Sequence, residues 1–296
     1  LCDGAVAVRK RILSWLAMKA RDDIVPHIGA IVHCAQADTV WMVRVSALLL
    51  LAALPTEFVC GDVQGAAVQA LTRYAAPERA AGVRILGRLD AEDRAVYAET
   101  IGACAVDGNP TVRTEAICAF SGLEHGGAVY VIGLDDTHSN VRISTMRALL
   151  NASDVERNQC AERVAECAKH DAQAGVRAMA YAVLAMLDTN AFAPHAAVVA
   201  EGRRHDECMR VRTAARQASI VSVYKVRSAV ATHAYSANGD DKTAEWLERL
   251  SGVPVTLATT KAEVAQAERI VARIYAPKGV VAKSLKRSFT IMMESV

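Results

Sequence analysis

The side chains best suited to metal or nucleophilic chemistry in this 296-residue chain are its eight cysteines and eight histidines. Thiolates and imidazoles are the usual ligands of zinc, which needs four of them in a structural site. Cys160, Cys167 and His170 could share one side of a helix, but no motif supplies a fourth ligand. No two cysteines form a CxxC pair, so we expect reduced, buried thiols and no metal site.

Motifs of nucleotide binding and hydrolysis are also missing from the sequence. It contains no GxxxxGK[ST], no GxSxG and no HExxH, and its histidines follow no nucleophile or metal pattern. We therefore predict a protein that is not an enzyme and has no cofactor.

Basic residues could bind phosphate groups. The net charge is only +2, so binding to nucleic acid would need positive charge concentrated on one surface. Lys283, Lys286 and Arg287 are spaced so that one helix face would present three charges, although such a face can also be merely solvated. The candidate DNA-binding residues are Lys10, Arg11, Lys19, Arg21, Arg203, Arg204, Arg210, Arg216, Lys225, Arg227, Lys278, Lys283, Lys286 and Arg287.

A periodic Val-Arg pair indicates the elements that must position these residues. Small or apolar residues follow the first residue of each pair at 4, 7, 8 and 11 positions, which is one face of an α-helix. Glu78-Arg79 keeps this pattern and is the degenerate copy. The regular pairs are Val8-Arg9, Val43-Arg44, Val112-Arg113, Val141-Arg142, Val176-Arg177 and Val211-Arg212.

An aspartate recurs six residues before the arginine in every unit except the degenerate one, which has Arg73 there. Aspartate ahead of an apolar-periodic run is a helix-start signal, because its carboxylate accepts backbone N–H groups. The pattern resembles HEAT repeats, in which recurring acids and arginines commonly form an interior ladder between successive repeats. Buried charge is tolerated only when it is paired, so the resemblance implies such a ladder in preference to a row of DNA contacts. The predicted ladder residues are Asp38, Arg44, Asp107, Arg113, Asp136, Arg142, Asp171, Arg177, Asp206 and Arg212.

Weaker amphipathic segments precede these helices, which we call B helices, and would form A helices. Each helix pair is too small to bury its apolar face alone, so neighbouring pairs must stack. We predict an all-α fold, a HEAT-repeat α-solenoid of about seven units over residues 1–223 with the first truncated, continued less regularly over 224–296. The expected A helices are roughly Ile24–Ala35, Asp62–Tyr74, Asp93–Ala105, Val129–Leu134, Val155–Lys169 and Phe192–Arg204.

The longest apolar run, Ala47 to Leu54, is too short to span a bilayer, so we expect no membrane partner. The chain begins at Leu1 and not at methionine, which suggests a fragment or a processed piece.

The D-x4-V-R-x2-A pattern resembles HEAT repeats, and the order of the repeats resembles the CAP-G-type HEAT subunit of condensin. The resemblance covers about residues 38–260, and the short step from Val112 to Val141 matches the family's short repeat. A basic stretch expected in that short repeat is missing between Gly126 and Asp136. The matching motifs are Leu54-Pro55-Thr56-Glu57, Leu86-Gly87-Arg88-Leu89-Asp90, Asp107-Gly108-Asn109-Pro110-Thr111-Val112-Arg113, Gly239-Asp240, Trp246-Leu247-Glu248 and Pro254.

The resemblance implies a non-catalytic scaffold subunit of a complex that condenses chromosomes in mitosis. Such a subunit binds a kleisin chain and holds double-stranded DNA through its phosphates, without sequence specificity. It meets the SMC ATPases indirectly, through the complex. The implied location is the nucleus and chromosomes, with a cytoplasmic pool.

Two other functions are compatible with the repeats. A protein–protein scaffold, such as a transport or phosphatase-type adaptor, would bind polypeptides and not DNA. A HEAT-like DNA glycosylase would need a carboxylate and aromatic residues in one cleft. Trp15, Trp41 and Trp246 lie far apart in the sequence, which argues against this enzyme.

Overall fold

The computed structural model describes the backbone of residues 4–123 and 126–236 and the side chains of residues 4–20, 22–123 and 126–222. Helices account for all the regular secondary structure in these ranges, which contain no strand. The predicted all-α, HEAT-like fold class is therefore confirmed. The α-helices are α1 (Val6–Leu16), α2 (Arg21–Ile24), α3 (Ile28–Ala37), α4 (Trp41–Ala53), α5 (Asp62–Leu71), α6 (Ala76–Leu86), α7 (Ala91–Ala95), α8 (Ala98–Cys104), α9 (Pro110–Phe120), α10 (Gly127–Leu134), α11 (Ser139–Asn151), α12 (Asp154–Gln159), α13 (Ala161–His170), α14 (Ala174–Leu184), α15 (Thr189–Phe192), α16 (Ala196–His205) and α17 (Met209–Ser236).

The chain forms two compact units, Leu1–Glu156 and Arg157–Val296. In the first unit the B helices α1, α4, α6, α9 and α11 pack each against the next. The A helices α3, α5, α8 and α10 each pack on the B helix that follows them. In the second unit α13 packs on α14 and α16 on α17, and α14 also packs on α17. Helix α17 runs through position 223, where the sequence analysis placed a boundary.

Small residues lie four positions after the start of most of the repeated pairs, where the A and B helices pack closely. Ala47, Ala116, Ala180 and Ala215 occupy this position with no exposed surface. In the degenerate repeat it is Gly82, where a Cβ atom would lie 2.6 Å from the carbonyl oxygen of Ala67 on the A helix. The small side chains therefore let the two helices of a repeat approach each other closely.

Several A helices are interrupted, whereas the sequence analysis expected continuous segments. The first begins only at Ile28, after a 3₁₀ turn that contains Pro26, and a similar turn with Pro194 precedes α16. Proline has no N–H to donate, so it is tolerated at the start of a helix and not in its interior. Two other expected A helices are divided, into α7 and α8 and into α12 and α13.

Among the described residues, no helix combines the length and the apolar character needed to cross a membrane.

Candidate functional site

The repeated arginines and acids form ion pairs between successive repeats. In each pair the arginine Nε and Nη2 atoms donate to the two oxygens of one carboxylate, the bidentate geometry that makes such pairs strong. The side chains involved are less than one fifth exposed. The Nε–oxygen distances are 2.7 Å for Arg9–Asp38, 2.6 Å for Arg44–Glu78, 2.7 Å for Arg79–Asp107 and 2.5 Å for Arg113–Asp136 in the first unit, and 2.8 Å for Arg177–Asp206 in the second.

Each arginine also holds the loop of its own repeat. The Nη1 atom of Arg113 donates to the carbonyl oxygen of Asp107 at 2.8 Å. The carboxylate of Asp107 in turn accepts the backbone N–H of Asn109 at 2.8 Å. The aspartates thus do accept backbone N–H groups, but from the residue that precedes the helix and not from its first turn. One arginine therefore ties its own loop to the loop of the next repeat.

The same local contacts recur at the other predicted ladder residues. Arg142 Nη1 donates to the Asp136 carbonyl at 2.7 Å, and Arg212 Nη1 donates to the Asp206 carbonyl at 2.6 Å. Asp171 accepts the N–H of Gln173 at 2.8 Å.

The degenerate repeat supplies its acid from a different position. Arg73 stands where the other repeats have aspartate, and its Nη2 atom donates to the carbonyl oxygen of Gln36. The carboxylate that binds Arg44 comes from Glu78, which occupies the place of the buried valine and has only 1% of its surface exposed. This role was not predicted from the sequence, although an acid at an otherwise apolar position was the available signal.

The ion pairs shift the pKa values of both partners. Hydrogen bonding to Arg9, Arg79 and Arg177 lowers the pKa of Asp38, Asp107 and Asp206 respectively. Burial raises the pKa of Asp136, but its bond to Arg113 and the His138 N–H outweigh burial, so its pKa is also lowered. The partner carboxylates raise the pKa of Arg44, Arg79, Arg113 and Arg177 despite burial. These groups are therefore charged at neutral pH.

The candidate DNA-binding residues lie in separate parts of the chain. In the first unit, Lys10 and Arg11 are on α1, and the ammonium of Lys19 lies 4.3 Å from the centre of the Trp15 ring. In the second unit, Arg203 and Arg204 are in the last turn of α16, and Arg210 and Arg216 are on α17.

The other DNA-binding candidates are not described at the level of their side chains. The backbone of Arg21 begins α2, and the backbones of Lys225 and Arg227 belong to α17. Lys278, Lys283, Lys286 and Arg287 lie outside the described residues.

The helix that carries Lys10 and Arg11 and the turn that follows it expose apolar side chains. Val8, Trp15 and Met18 are 41%, 51% and 79% exposed. Met18 and Trp15, with Arg11 and two further residues of α1, line an open groove of about 480 Å³.

The cysteine–histidine trio considered for zinc is not arranged as a metal site. Cys160 is fully buried, Cys167 is half-buried, and His170 is exposed, 3.8 Å from Glu166. Among the described residues, no group of three or more histidine, cysteine or acidic side chains is placed to hold a metal ion.

A different row of side chains is exposed on the B helices of the first unit. It is made by the residues six positions after the start of the four repeated pairs from Val43 to Val141, and each is exposed in the middle of a mostly buried helix. We call these residues the B-helix row: Leu49 on α4, Arg84 on α6, Cys118 on α9 and Arg147 on α11.

Charged groups surround Cys118 in this row. Arg84 donates through Nε to Glu115 at 3.2 Å and through Nη2 to the same oxygen. Partial burial raises the pKa of the Cys118 thiol, Glu115 raises it further, and Arg147 and Arg84 act in the opposite direction. The thiol is therefore protonated at neutral pH and is not an activated nucleophile.

Comparisons with known proteins support the fold and not a particular function. No family model and no curated protein matches the chain. An engineered protein of known crystal structure is similar at 18% identity with a TM-score of 0.58, over 90% of this chain and 73% of that chain. YibA from Escherichia coli is similar at 16% identity with a TM-score of 0.55, over 86% of this chain and 90% of that chain. With the helix pairs described above, these similarities define the class as HEAT-like helical-repeat proteins.

Proposed function

We propose that this protein is a non-catalytic scaffold that binds a large partner on the exposed side of its B helices. The observation that carries the proposal is a contrast within each repeat. The ladder and the small core residues are nearly constant because they hold the repeats together. The B-helix row varies from helix to helix, with leucine on α4, arginine on α6, cysteine on α9 and arginine on α11. A constant framework with a varied exposed row is typical of repeat proteins that bind extended partners.

The narrower form of the proposal is a condensin-type subunit that binds a kleisin chain and duplex DNA. It is supported by the motif order and by the cations on and after α1. The Asp107–Arg113 motif contributes less, because its residues have structural roles. The Asn109 side chain accepts the N–H of Thr111 at 2.9 Å, and Pro110 occupies the first turn of α9. Helix capping alone is therefore a sufficient reason for the Asn-Pro sequence at the start of α9.

The first experiment is to recover the tagged protein from its own cells at low salt and to identify what accompanies it by mass spectrometry. Two SMC-type ATPases and a kleisin would support the condensin-type function. A transport cargo or a phosphatase would replace that function with an adaptor role and leave the scaffold standing. Recovery of the protein alone, also after chemical cross-linking, would contradict the scaffold proposal.

A direct test of DNA binding uses a fluorescent 20-bp duplex of random sequence. We expect binding that weakens steeply between 50 and 200 mM salt, because phosphate contacts release counterions. The double variant Lys10→Glu/Arg11→Glu should weaken binding about tenfold, while Lys169→Glu, an exposed cation outside the candidate set, should not. Equal affinities of all three proteins would remove α1 from the DNA site.

A further inference from the structure

The B-helix row has an excess of positive charge, and two of the arginines on or beside it are held in a defined geometry. Its members and their close neighbours include Arg84, Arg88 and Arg147 against one acid, Glu115. Arg84 is 47% exposed, and Glu115, at 16%, anchors it through Nε and Nη2. Arg88 is fixed by a 2.7 Å bond from its Nη1 atom to the carbonyl oxygen of Ala52. Arginines oriented in this way lose little side-chain freedom when a carboxylate binds.

The row also contains surface that favours a polypeptide over a nucleic acid. Leu49 is 44% exposed and Cys118 is exposed, so two of the four positions are not charged. Peptide N–H groups could donate to the Glu115 carboxylate, whereas a DNA phosphate backbone has no donor for it. Apolar and cationic positions in one row match a peptide with both apolar and acidic side chains.

The spacing of the helices fixes the spacing of the side chains that such a peptide would need. Successive B helices α4, α6, α9 and α11 pack on one another, and packed helices are roughly 8–10 Å apart. An extended chain rises about 3.3 Å per residue, so one helix step corresponds to about three residues. Leu49 and Arg84 are one step apart, and Arg84 and Arg147 are two steps apart.

We propose that the B-helix row binds an extended segment of a partner polypeptide with an apolar residue, an acid about three positions away and a second acid about six positions further on. The proposal rests on the scaffold function and names the chemistry of its partner. The apolar residue packs on Leu49, and the two acids pair with Arg84 and Arg147. The protonated thiol of Cys118 lies under the peptide between them.

The test uses a synthetic fluorescein-labelled peptide with leucine and two glutamates at these spacings and glycine and serine elsewhere. We expect binding to the full chain by fluorescence anisotropy, and no binding of a scrambled peptide of the same composition. Arg147→Glu should weaken binding about tenfold. Replacing the second glutamate of the peptide with lysine should restore affinity for that variant alone. Lys169→Ala serves as the control for an exposed cation outside the row.

A second measurement reports contact without relying on a substitution. Maleimide labelling of Cys118, followed by mass spectrometry, should slow in the presence of the peptide, while the exposed Cys60 in the same unit should react at an unchanged rate. Absence of both peptide binding and Cys118 protection would overturn the proposal. So would displacement of the peptide by duplex DNA whose own binding depends on Arg84 and Arg147. Either result leaves the scaffold function intact if a stable partner is recovered from cells.

Discussion

At the level of single residues, a ladder arginine satisfies two different groups. Its Nε–Nη2 edge binds the acid of the next repeat, and Nη1 binds a carbonyl oxygen in its own loop, as Arg44 does with Glu78 and Asp38. Arginine suits both tasks because its donors form a rigid fork, which lysine lacks. The recurrence of the Val-Arg pair therefore reflects the geometry of the connection between repeats.

The degenerate repeat allows this explanation to be tested by moving the acid. Glu78→Val restores the valine of the regular repeats but removes the carboxylate from Arg44. We expect a loss of roughly 3 kcal/mol in the free energy of unfolding, because a buried charge is left unpaired. Adding Arg73→Asp places an acid at the regular position and should recover most of the loss. Urea denaturation of both variants measures the change, and a double variant no more stable than Glu78→Val would refute the equivalence of the two positions.

The sequence predicts the arginines and the regular aspartates of the ladder because they recur at fixed spacing. Glu78 is harder to predict from the sequence. It lies directly before Arg79, whereas the regular aspartates lie six residues before the arginine of their repeat. Whether a carboxylate five residues further along the chain reaches the same arginine depends on the helix that carries it. That information lies in the packing of α4 on α6 and not in the local pattern.

At the level of helices, glycines determine how closely some A and B helices approach. A Cβ atom at Gly133 on α10 would lie 2.2 Å from the Thr145 Oγ1 atom on α11 and 2.6 Å from an Ile117 side-chain carbon on α9. On α16, a Cβ atom at Gly202 would lie 1.9 Å from the Tyr181 hydroxyl. Neither close approach follows from the sequence, because the residue that faces each glycine comes from another helix.

These contacts predict opposite effects for two glycine-to-alanine substitutions within the first unit. Gly133→Ala should destabilise the protein by roughly 1–3 kcal/mol, because the new methyl group overpacks the interface. Gly65→Ala, on α5 with no atom near the added methyl group, should stabilise it by roughly 0.5–1 kcal/mol, because glycine has low helix propensity. Thermal unfolding measures both, and Thr145→Ala should partly rescue the Gly133 variant. Equal effects of the two substitutions would contradict the packing described for α10 and α11.

At the level of the whole molecule, the ladder makes the fold less stable at acidic pH. The pKa values of Asp38, Asp107, Asp136 and Asp206 are lowered from 3.8 in the folded protein. A carboxylate with a lowered folded-state pKa stabilises the fold fully above its unfolded value, and this contribution disappears as the pH falls through the folded value. The loss of stability should therefore be absent near neutral pH and should grow as the pH falls below about 4.

A pH series of urea denaturation measures this dependence. We expect Asp107→Asn to be less stable than the natural protein at pH 7 and to lose less additional stability between pH 5 and pH 2, because it has one paired carboxylate fewer. Asp62→Asn, which changes an exposed acid outside the ladder, should leave the pH profile nearly unchanged. Parallel profiles for all three proteins would show that the ladder carboxylates do not control acid unfolding.

In the ladder, the arginine of one repeat binds the acid of the next repeat. This arrangement affects how the number of repeats could change during evolution. Within the first unit, the second, third and fourth repeats each pair one acid with the repeat before and one arginine with the repeat after, including the degenerate repeat with Glu78 and Arg79. A tandem duplication of a whole repeat would leave every arginine with an acid partner. A duplication that ended inside a repeat would leave one charged side chain without a partner. Genes that encode such arrays can therefore lengthen or shorten in whole-repeat steps without a pairing penalty, and exchange of one repeat for another changes the exposed row while preserving the joints.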